Sequence, residues 1–191
     1  MRKARMFFGI GFALLLVAVM SPLAYSQTVR WDIITITPTP IGPGGVAFAR
    51  ANDGSTIRFS GSGTFVVTPE PGVTLGTVTG GGTWQTFGAV GAASGTFVVT
   101  GLAAWERAPT SPPPANDRIG NPAEASSGLA ILRITYSDGS RGLLTVSCQR
   151  DGIPATVFEG VIASKGFVTF FDAVPMVPGI DANRTLFHVS P

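Results

Sequence analysis

The segment Gly128–Cys148 constrains the fold of this chain more than any other, because only one hairpin register gives it a uniform apolar face. Two β-rich runs flank Ser137–Gly139, which is typical of a tight turn. A three-residue loop with Gly139 left-handed pairs Leu132 with Leu144 and places the apolar residues of both runs on one side. A two-residue Asp-Gly loop would mix polar and apolar residues on both faces, and a slip of one residue exchanges the faces. The sequence therefore predicts an antiparallel hairpin with a three-residue loop.

Two other segments have turn residues of the same form. Asn52–Gly54 and Ser164–Gly166 each end in glycine between β-rich runs, so we predict three-residue loops there as well. In the second of these hairpins, the predicted register places Ile162 opposite Val168.

One heptapeptide, SGTFVVT, occurs twice in the chain, at Ser62–Thr68 and at Ser94–Thr100. Two copies are too few for a repeat architecture, which needs about three units. The shared alternation predicts instead that the two segments lie in similar environments, each within a strand.

The fold class predicted from these patterns is all-β. No helical periodicity is found after residue 26, and turn residues separate about nine strand candidates. A long irregular segment, 108–127, is rich in proline, which excludes a helix or a central strand there. We predict a single antiparallel domain over residues 27–191, folded as a barrel or barrel-like meander, with a jelly-roll β-sandwich as the alternative. An outer-membrane barrel is disfavoured because the sequence lacks aromatic girdles.

The first 26 residues have the layout of a secretory signal peptide. Arg2, Lys3 and Arg5 precede an apolar run from Met6 to Met20, and small residues stand shortly before Gln27. An uncleaved anchor is the alternative, but the run is shorter than the roughly 20 residues of a membrane-spanning helix. We therefore expect no membrane span after cleavage and a secreted or extracytoplasmic location in the periplasm, on the cell surface or in the medium.

Net charge excludes one class of partner. Without the leader, the chain has ten basic and eleven acidic residues, and the basic residues form no stripe. Such a chain has no patch that could neutralise phosphates, so a nucleic-acid partner is not expected.

The chain has a single cysteine, Cys148, and a single histidine, His188. An intramolecular disulfide is therefore impossible, and Cys148 falls on the apolar face of the predicted hairpin, where it is expected to be buried. Zinc sites built on several histidines are excluded. A Ser-His-Asp relay would have to use His188, and no nucleophile elbow accompanies it. We assign no catalytic residue, no metal site and no cofactor.

Four residues are candidates for ligand binding: Trp84, Trp105, Glu106 and Arg133. Tryptophans on a sheet can stack on sugars or apolar ligands, although buried tryptophans of the core are the commoner case. Arg133 lies on the non-core face of the predicted hairpin, where it could anchor an anionic ligand. Glu106 could pair with Glu159 as the two carboxyls of a glycosidase, although Glu159 is also compatible with a position in solvent.

These observations favour a secreted, non-enzymatic β domain that binds a small molecule, a carbohydrate or a partner in the cell envelope. The alternatives are a small extracytoplasmic enzyme, either a glycosidase-like hydrolase or a barrel isomerase, and a structural envelope protein. Fold-level patterns alone do not separate these classes.

Overall fold

The protein is built almost entirely from β-strands. The computed structural model describes residues 26–36, 40–68, 76–109, 113–114 and 116–191, so the predicted signal peptide lies outside the described residues apart from Ser26. The strands of the described part are β1 (Gln27–Thr35), β2 (Gly42–Pro43), β3 (Ala47–Arg50), β4 (Thr56–Val67), β5 (Val78–Phe87), β6 (Ala93–Arg107), β7 (Ala125–Ser126), β8 (Gly128–Tyr136), β9 (Arg141–Cys148), β10 (Gly160–Lys165), β11 (Val168–Phe170), β12 (Asp172–Ala173) and β13 (Thr185–Ser190).

Helical structure in the described part is limited to a single 3₁₀ turn at Pro122–Glu124. None of its helices is long and apolar enough to cross a membrane. The predicted proline-rich loop is interrupted by this turn and by β7, which pairs with the last strand.

All thirteen strands belong to one antiparallel sheet that curls into a barrel-like form. The order along the sheet is β11-β10-β9-β8-β6-β5-β4-β1-β13-β7. At one end only Phe171 separates β11 from β12, and β12 pairs with β3, which itself pairs with β4. At the other end only Ser127 separates β7 from β8. Both ends of the strand order are therefore connected back to the middle of the sheet, and the predicted all-β barrel-like fold is confirmed.

The central hairpin has the predicted register. Leu132 pairs with Leu144, and Gly139 is left-handed with φ of 85°. The hairpin at Asn52–Gly54 is also as predicted, with Gly54 left-handed. Matching apolar faces thus identified both registers.

The register predicted for the third hairpin is wrong. Lys165 pairs with Val168, so the loop contains only Gly166 and Phe167. Gly166 has φ of 57°, as the first position of a type II′ turn requires. This register puts Phe170, which is 1% exposed, into the core, and it leaves Phe167 fully exposed at the tip.

The repeated heptapeptide occupies equivalent positions. Six residues of its first copy lie in β4 and all of its second copy lies in β6, and these two strands flank β5 on either side. Phe65 and Phe97, at the same place in the two copies, are both buried. The two phenylalanines thus have similar environments, whereas the valines that follow them differ: Val66 is half-buried and Val98 is 55% exposed.

Glycines allow β4 and β5 to bend closely against each other. Gly61 lies opposite Gly82, and Gly63 lies opposite Gly80. A Cβ on Gly82 would stand 1.9 Å from the carbonyl oxygen of Ser60, so a side chain cannot be accommodated there. The long strands can therefore follow the curl of the sheet.

Large side chains fill the inside of the curled sheet. The largest fully buried residues are mostly aromatic: Trp31, Tyr136, Phe59, Phe65, Phe97, Phe170 and Phe187. Phe59 packs edge-on against Phe97, with ring centroids 5.5 Å apart. Cys148 is buried in the same core as a free thiol, as predicted. Because side chains occupy the interior, ligand sites are to be sought on the outer face and at the ends.

Candidate functional site

The two candidate tryptophans contribute to packing. Trp84 is 3% exposed, and its indole Nε1 donates to the carbonyl oxygen of Thr96 at 3.0 Å. Trp105 is half-buried and packs against Phe65 and Phe187. Trp105 thus belongs to the packed interior, whereas Trp84 also forms one wall of a small surface cavity.

Arg133 lines a groove on the outer face, which we call the arginine groove. This groove has a volume of about 650 Å³ and crosses the outer face of β6, β8, β9 and β10. Its lining consists of Thr100, Ala103, Arg133, Ile134, Thr135, Arg141, Gly142, Leu143, Ser164 and Gly166. The Trp84 cavity, of about 240 Å³, meets it at Gly166.

Strand pairing explains why two arginines share this groove. Arg133 lies directly opposite Leu143, and Thr135 lies directly opposite Arg141. Side chains that face each other across an antiparallel pair project on the same side, and diagonal neighbours lie about 7–8 Å apart. Arg133 and Arg141 are such diagonal neighbours, so both guanidinium groups project from the outer face.

Two irregularities in β6 form one wall of the arginine groove. Its pairing with β8 skips one residue between Val99 and Gly101 and another between Leu102 and Ala104. The skipped residues are Thr100 and Ala103, and both line the groove. A β-bulge bends its strand and redirects side chains. The two bulges thus turn a part of the outer face that would otherwise be evenly pleated into a concave surface.

The arginine groove carries uncompensated positive charge. Among the described residues, neither Arg133 nor Arg141 has a carboxylate within ion-pair distance, and no acidic residue lines the groove. Both arginines are exposed.

The neighbouring lysine is compensated. Lys165 forms an ion pair with Asp138 and stands 4.4 Å from the centre of the Trp84 ring. The hydrogen bonds of Asp138 with Lys165 and Ser140 lower the pKa of this carboxyl to about 2. Lys165 is therefore held over the aromatic rings, and the free positive charge at this end of the outer face belongs to the two arginines.

Glu106 does not join the arginine groove. It is exposed and lies in a different row of the outer face, in which Glu106 faces Leu129, Leu129 faces Ser147 and Ser147 faces Gly160. The structure therefore distributes the four predicted site residues over a packed core, a small cavity, the arginine groove and a separate row.

Glu159 is half-buried, whereas the sequence was also compatible with a position in solvent. Its carboxylate accepts hydrogen bonds from the backbone N–H of Gln149 and of Thr185. Burial raises the pKa of Glu159 to about 7, although these hydrogen bonds act in the opposite direction.

The two glutamates are also poorly arranged for a glycosidase. The backbone row from Glu106 to Gly160, the neighbour of Glu159, spans three strand spacings, or roughly 14 Å. Retaining and inverting glycosidases place their carboxyls about 5 to 9.5 Å apart. Glu106 lines a cleft together with Val157 and Phe158, and Glu159 is not among the lining residues of that cleft.

A buried His-Asp pair escaped the sequence reasoning. Nε2 of His188 lies 2.7 Å from Oδ2 of Asp117, and Oδ1 of Asp117 accepts from the N–H of Ile119. Among the described residues, Nδ1 of His188 has no hydrogen-bond partner, and the contact between Nε2 and Asp117 links the segment around Asp117 to β13. Asp117 lies in the proline-rich segment 71 positions before His188, and no local pattern signals their contact.

The described residues contain no group of three His, Cys, Asp or Glu side chains that could hold a metal ion. Comparison with protein families, with curated proteins and with solved structures found no match for this chain.

Proposed function

We propose that this protein is an exported, non-enzymatic binding domain that holds an acidic carbohydrate in the arginine groove. The observation that carries the proposal is the pair of exposed guanidinium groups, Arg133 and Arg141, in a concave surface without any acidic residue. The proposed export rests on the sequence of residues 1–26.

The chemistry of the arginine groove suits a sugar that carries carboxylates or sulfates. Arginine binds such groups through planar, charge-assisted hydrogen bonds. Thr100, Thr135 and Ser164 add hydroxyl groups along the groove, and Leu143, 43% exposed, adds an apolar contact for the face of a sugar ring. The diagonal spacing of the two arginines matches ligands that have more than one anionic group.

The test is a titration of the protein, residues 27–191, with oligogalacturonate as the acidic probe and a malto-oligosaccharide of equal length as the neutral probe. We expect measurable binding of the acidic probe alone, with an affinity that decreases as salt is added. A charge-assisted hydrogen bond contributes about 1.5–3 kcal/mol, so Arg133→Ala or Arg141→Ala should weaken binding by roughly 10- to 100-fold.

Arg118→Ala is the matched control. Arg118 is also exposed but lies outside the groove, so its replacement removes the same charge without removing a proposed contact. Equal losses for Arg118→Ala and Arg133→Ala would show a nonspecific charge effect and refute the groove as the site. Equal affinity for the acidic and neutral probes would refute the proposed ligand class.

A further inference from the structure

A third arginine of the outer face, Arg58, also lacks a carboxylate partner. It lies in β4 between Ile57 and Phe59, which are both buried, so its side chain projects from the opposite, outer face. Among the described residues, no carboxylate lies within ion-pair distance of Arg58. Arg58 is half-buried and lines a depression of about 360 Å³, which we call the Arg58 pocket.

Strand pairing explains the polar lining of the Arg58 pocket. Gln85 lies directly opposite Arg58, Ser94 lies directly opposite Gln85, and Thr83 lies opposite Thr96. Side chains that face each other in this way project on the same side of the sheet. The full lining consists of Arg58, Thr83, Trp84, Gln85, Ser94, Gly95 and Thr96. The pocket thus offers a guanidinium group, an amide and three exposed hydroxyl groups without any acidic residue, which suits a sugar unit that carries an anionic group.

Uncharged side chains connect the Arg58 pocket with the arginine groove. Val98 lies opposite Thr135 of the groove, and Thr96 of the pocket lies two residues earlier on the same face of β6. The five neighbouring strands β9, β8, β6, β5 and β4 contain a single acidic residue, Glu106, which lies in its separate row. Asp138, in the turn after β8, is compensated by Lys165. An anionic chain can therefore pass from one site to the other without unfavourable contact with these strands.

The two sites are too far apart for a short ligand. Arg141 and Arg58 lie on β9 and β4, which are four strand spacings apart. Their pairing rows meet β6 at Val98 and at Ser94, four residues apart. With about 4.8 Å for each strand spacing and 3.4 Å for each residue, the path along the sheet between the two arginines is roughly 23 Å.

We infer that the protein binds a linear acidic polysaccharide along its outer face, with the arginine groove and the Arg58 pocket as two anion-binding subsites. The first subsite is the arginine groove, so this assignment rests on the proposed function. The exposed Val98 and Thr96 contact the sugar units between the subsites. A chain that reaches both subsites forms the second set of contacts within one complex, so its affinity exceeds that of a chain too short to span them.

The experiment compares trigalacturonate, which is shorter than the span, with octagalacturonate, which is longer. Titration calorimetry in calcium-free buffer gives the affinity of each probe for the parent chain and for Arg58→Ala. A longer chain also has more binding registers, so the informative quantity is the effect of the variant on each probe. We expect Arg58→Ala to weaken the binding of octagalacturonate by roughly 10- to 100-fold and to leave that of trigalacturonate unchanged.

Arg118→Ala is the matched control, because Arg118 is exposed and lies outside both sites. It should bind octagalacturonate as tightly as the parent chain does. A second measurement needs no variant and uses the NMR shifts of the methyl groups of Thr96 in the pocket and Leu143 in the groove. Octagalacturonate should shift the signals of both residues, and trigalacturonate should shift only those of Leu143.

Different results would refute the second subsite and the groove itself. If trigalacturonate binds in the groove and Arg58→Ala weakens octagalacturonate no more than Arg118→Ala does, the Arg58 pocket is not a subsite, although the proposed function stands. Octagalacturonate that binds without shifting the Thr96 signal would refute the subsite on the parent chain, even if Arg58→Ala failed to fold. If neither probe binds, both the subsite and the proposed function are wrong.

Discussion

Replacing Glu159 by glutamine should change how the stability of this protein depends on pH. Burial disfavours the carboxylate, and the pKa of Glu159 rises from its ordinary 4.5 to about 7. The folded chain therefore holds this proton more tightly than the unfolded chain does. The resulting stabilisation is complete below about pH 4.5 and is lost as the pH rises through about 7.

The magnitude follows from the gap between the two pKa values. At about 1.4 kcal/mol for each pH unit, this gap corresponds to roughly 3 kcal/mol of unfolding free energy. For a domain of this size, that loss lowers the melting temperature by roughly 10 °C between pH 4.5 and pH 7.5. Other groups titrate in the same range, so the informative quantity is the difference between the parent chain and Glu159→Gln at each pH.

Urea denaturation at several pH values between 4 and 8 measures this difference. Glutamine stays neutral, but its amide nitrogen would face one of the two backbone N–H donors, from Gln149 or Thr185. We expect this conflict to lower the unfolding free energy of the variant by the same amount at every pH. The unfolding free energy of the parent chain relative to the variant should fall by about 3 kcal/mol as the pH rises. Glu106→Gln, at an exposed position, corrects for the loss of one negative charge.

The opposite slope would refute the reasoning. If the parent chain gained stability relative to Glu159→Gln as the pH rises, the hydrogen bonds to the carboxylate would outweigh its burial. A difference that stays constant within about 0.5 kcal/mol would show that burial and hydrogen bonds cancel.

Two further predictions concern the core and the central hairpin. Cys148 should not react with thiol reagents in the folded protein, because burial removes access to its thiol and raises the pKa of that thiol. Mass spectrometry measures the labelling, and rapid labelling under native conditions would contradict the position of Cys148 in the core. Gly139→Ala should lower the unfolding free energy by about 1–2 kcal/mol, since φ of 85° is strained for alanine although space is open around it. Gly101→Ala is the matched control, because a Cβ at this position would meet Arg133 only at ordinary van der Waals distance. Its unfolding free energy should stay within about 0.5 kcal/mol of that of the parent chain. Equal losses of stability in the two variants would refute the turn argument.

The central hairpin was predictable because its two faces differ so strongly. A slip of one residue would have buried Arg133 and exposed Leu132, and that cost selects the register without knowledge of the rest of the fold. The hairpin at Ser164–Gly166 offered no such contrast. There the register is selected by Phe170, whose side chain enters the core only with the two-residue loop. The same register leaves Phe167 fully exposed at the tip of the hairpin.

The candidate site was predictable only in part. The outward direction of Arg133 followed from the hairpin, whereas the concave wall beside it depends on bulges at Thr100 and Ala103. A bulge inserts a single extra residue into one strand of a pair. The sequence carries no local pattern that shows where such an insertion occurs.

The two end strands of the sheet, β11 and β7, continue along the chain into strands that pair elsewhere in the same sheet. This continuity affects how copies of the chain can associate. A strand with unpaired N–H and C=O groups is a template on which another chain can add, and proteins without such templates resist aggregation. Here β11 leads through β12 to β3, and β7 leads directly into β8. These end strands have only three and two residues, and each pairs with a single neighbour, β11 with β10 and β7 with β13, so they offer few unpaired N–H and C=O groups on which another copy of the chain could add.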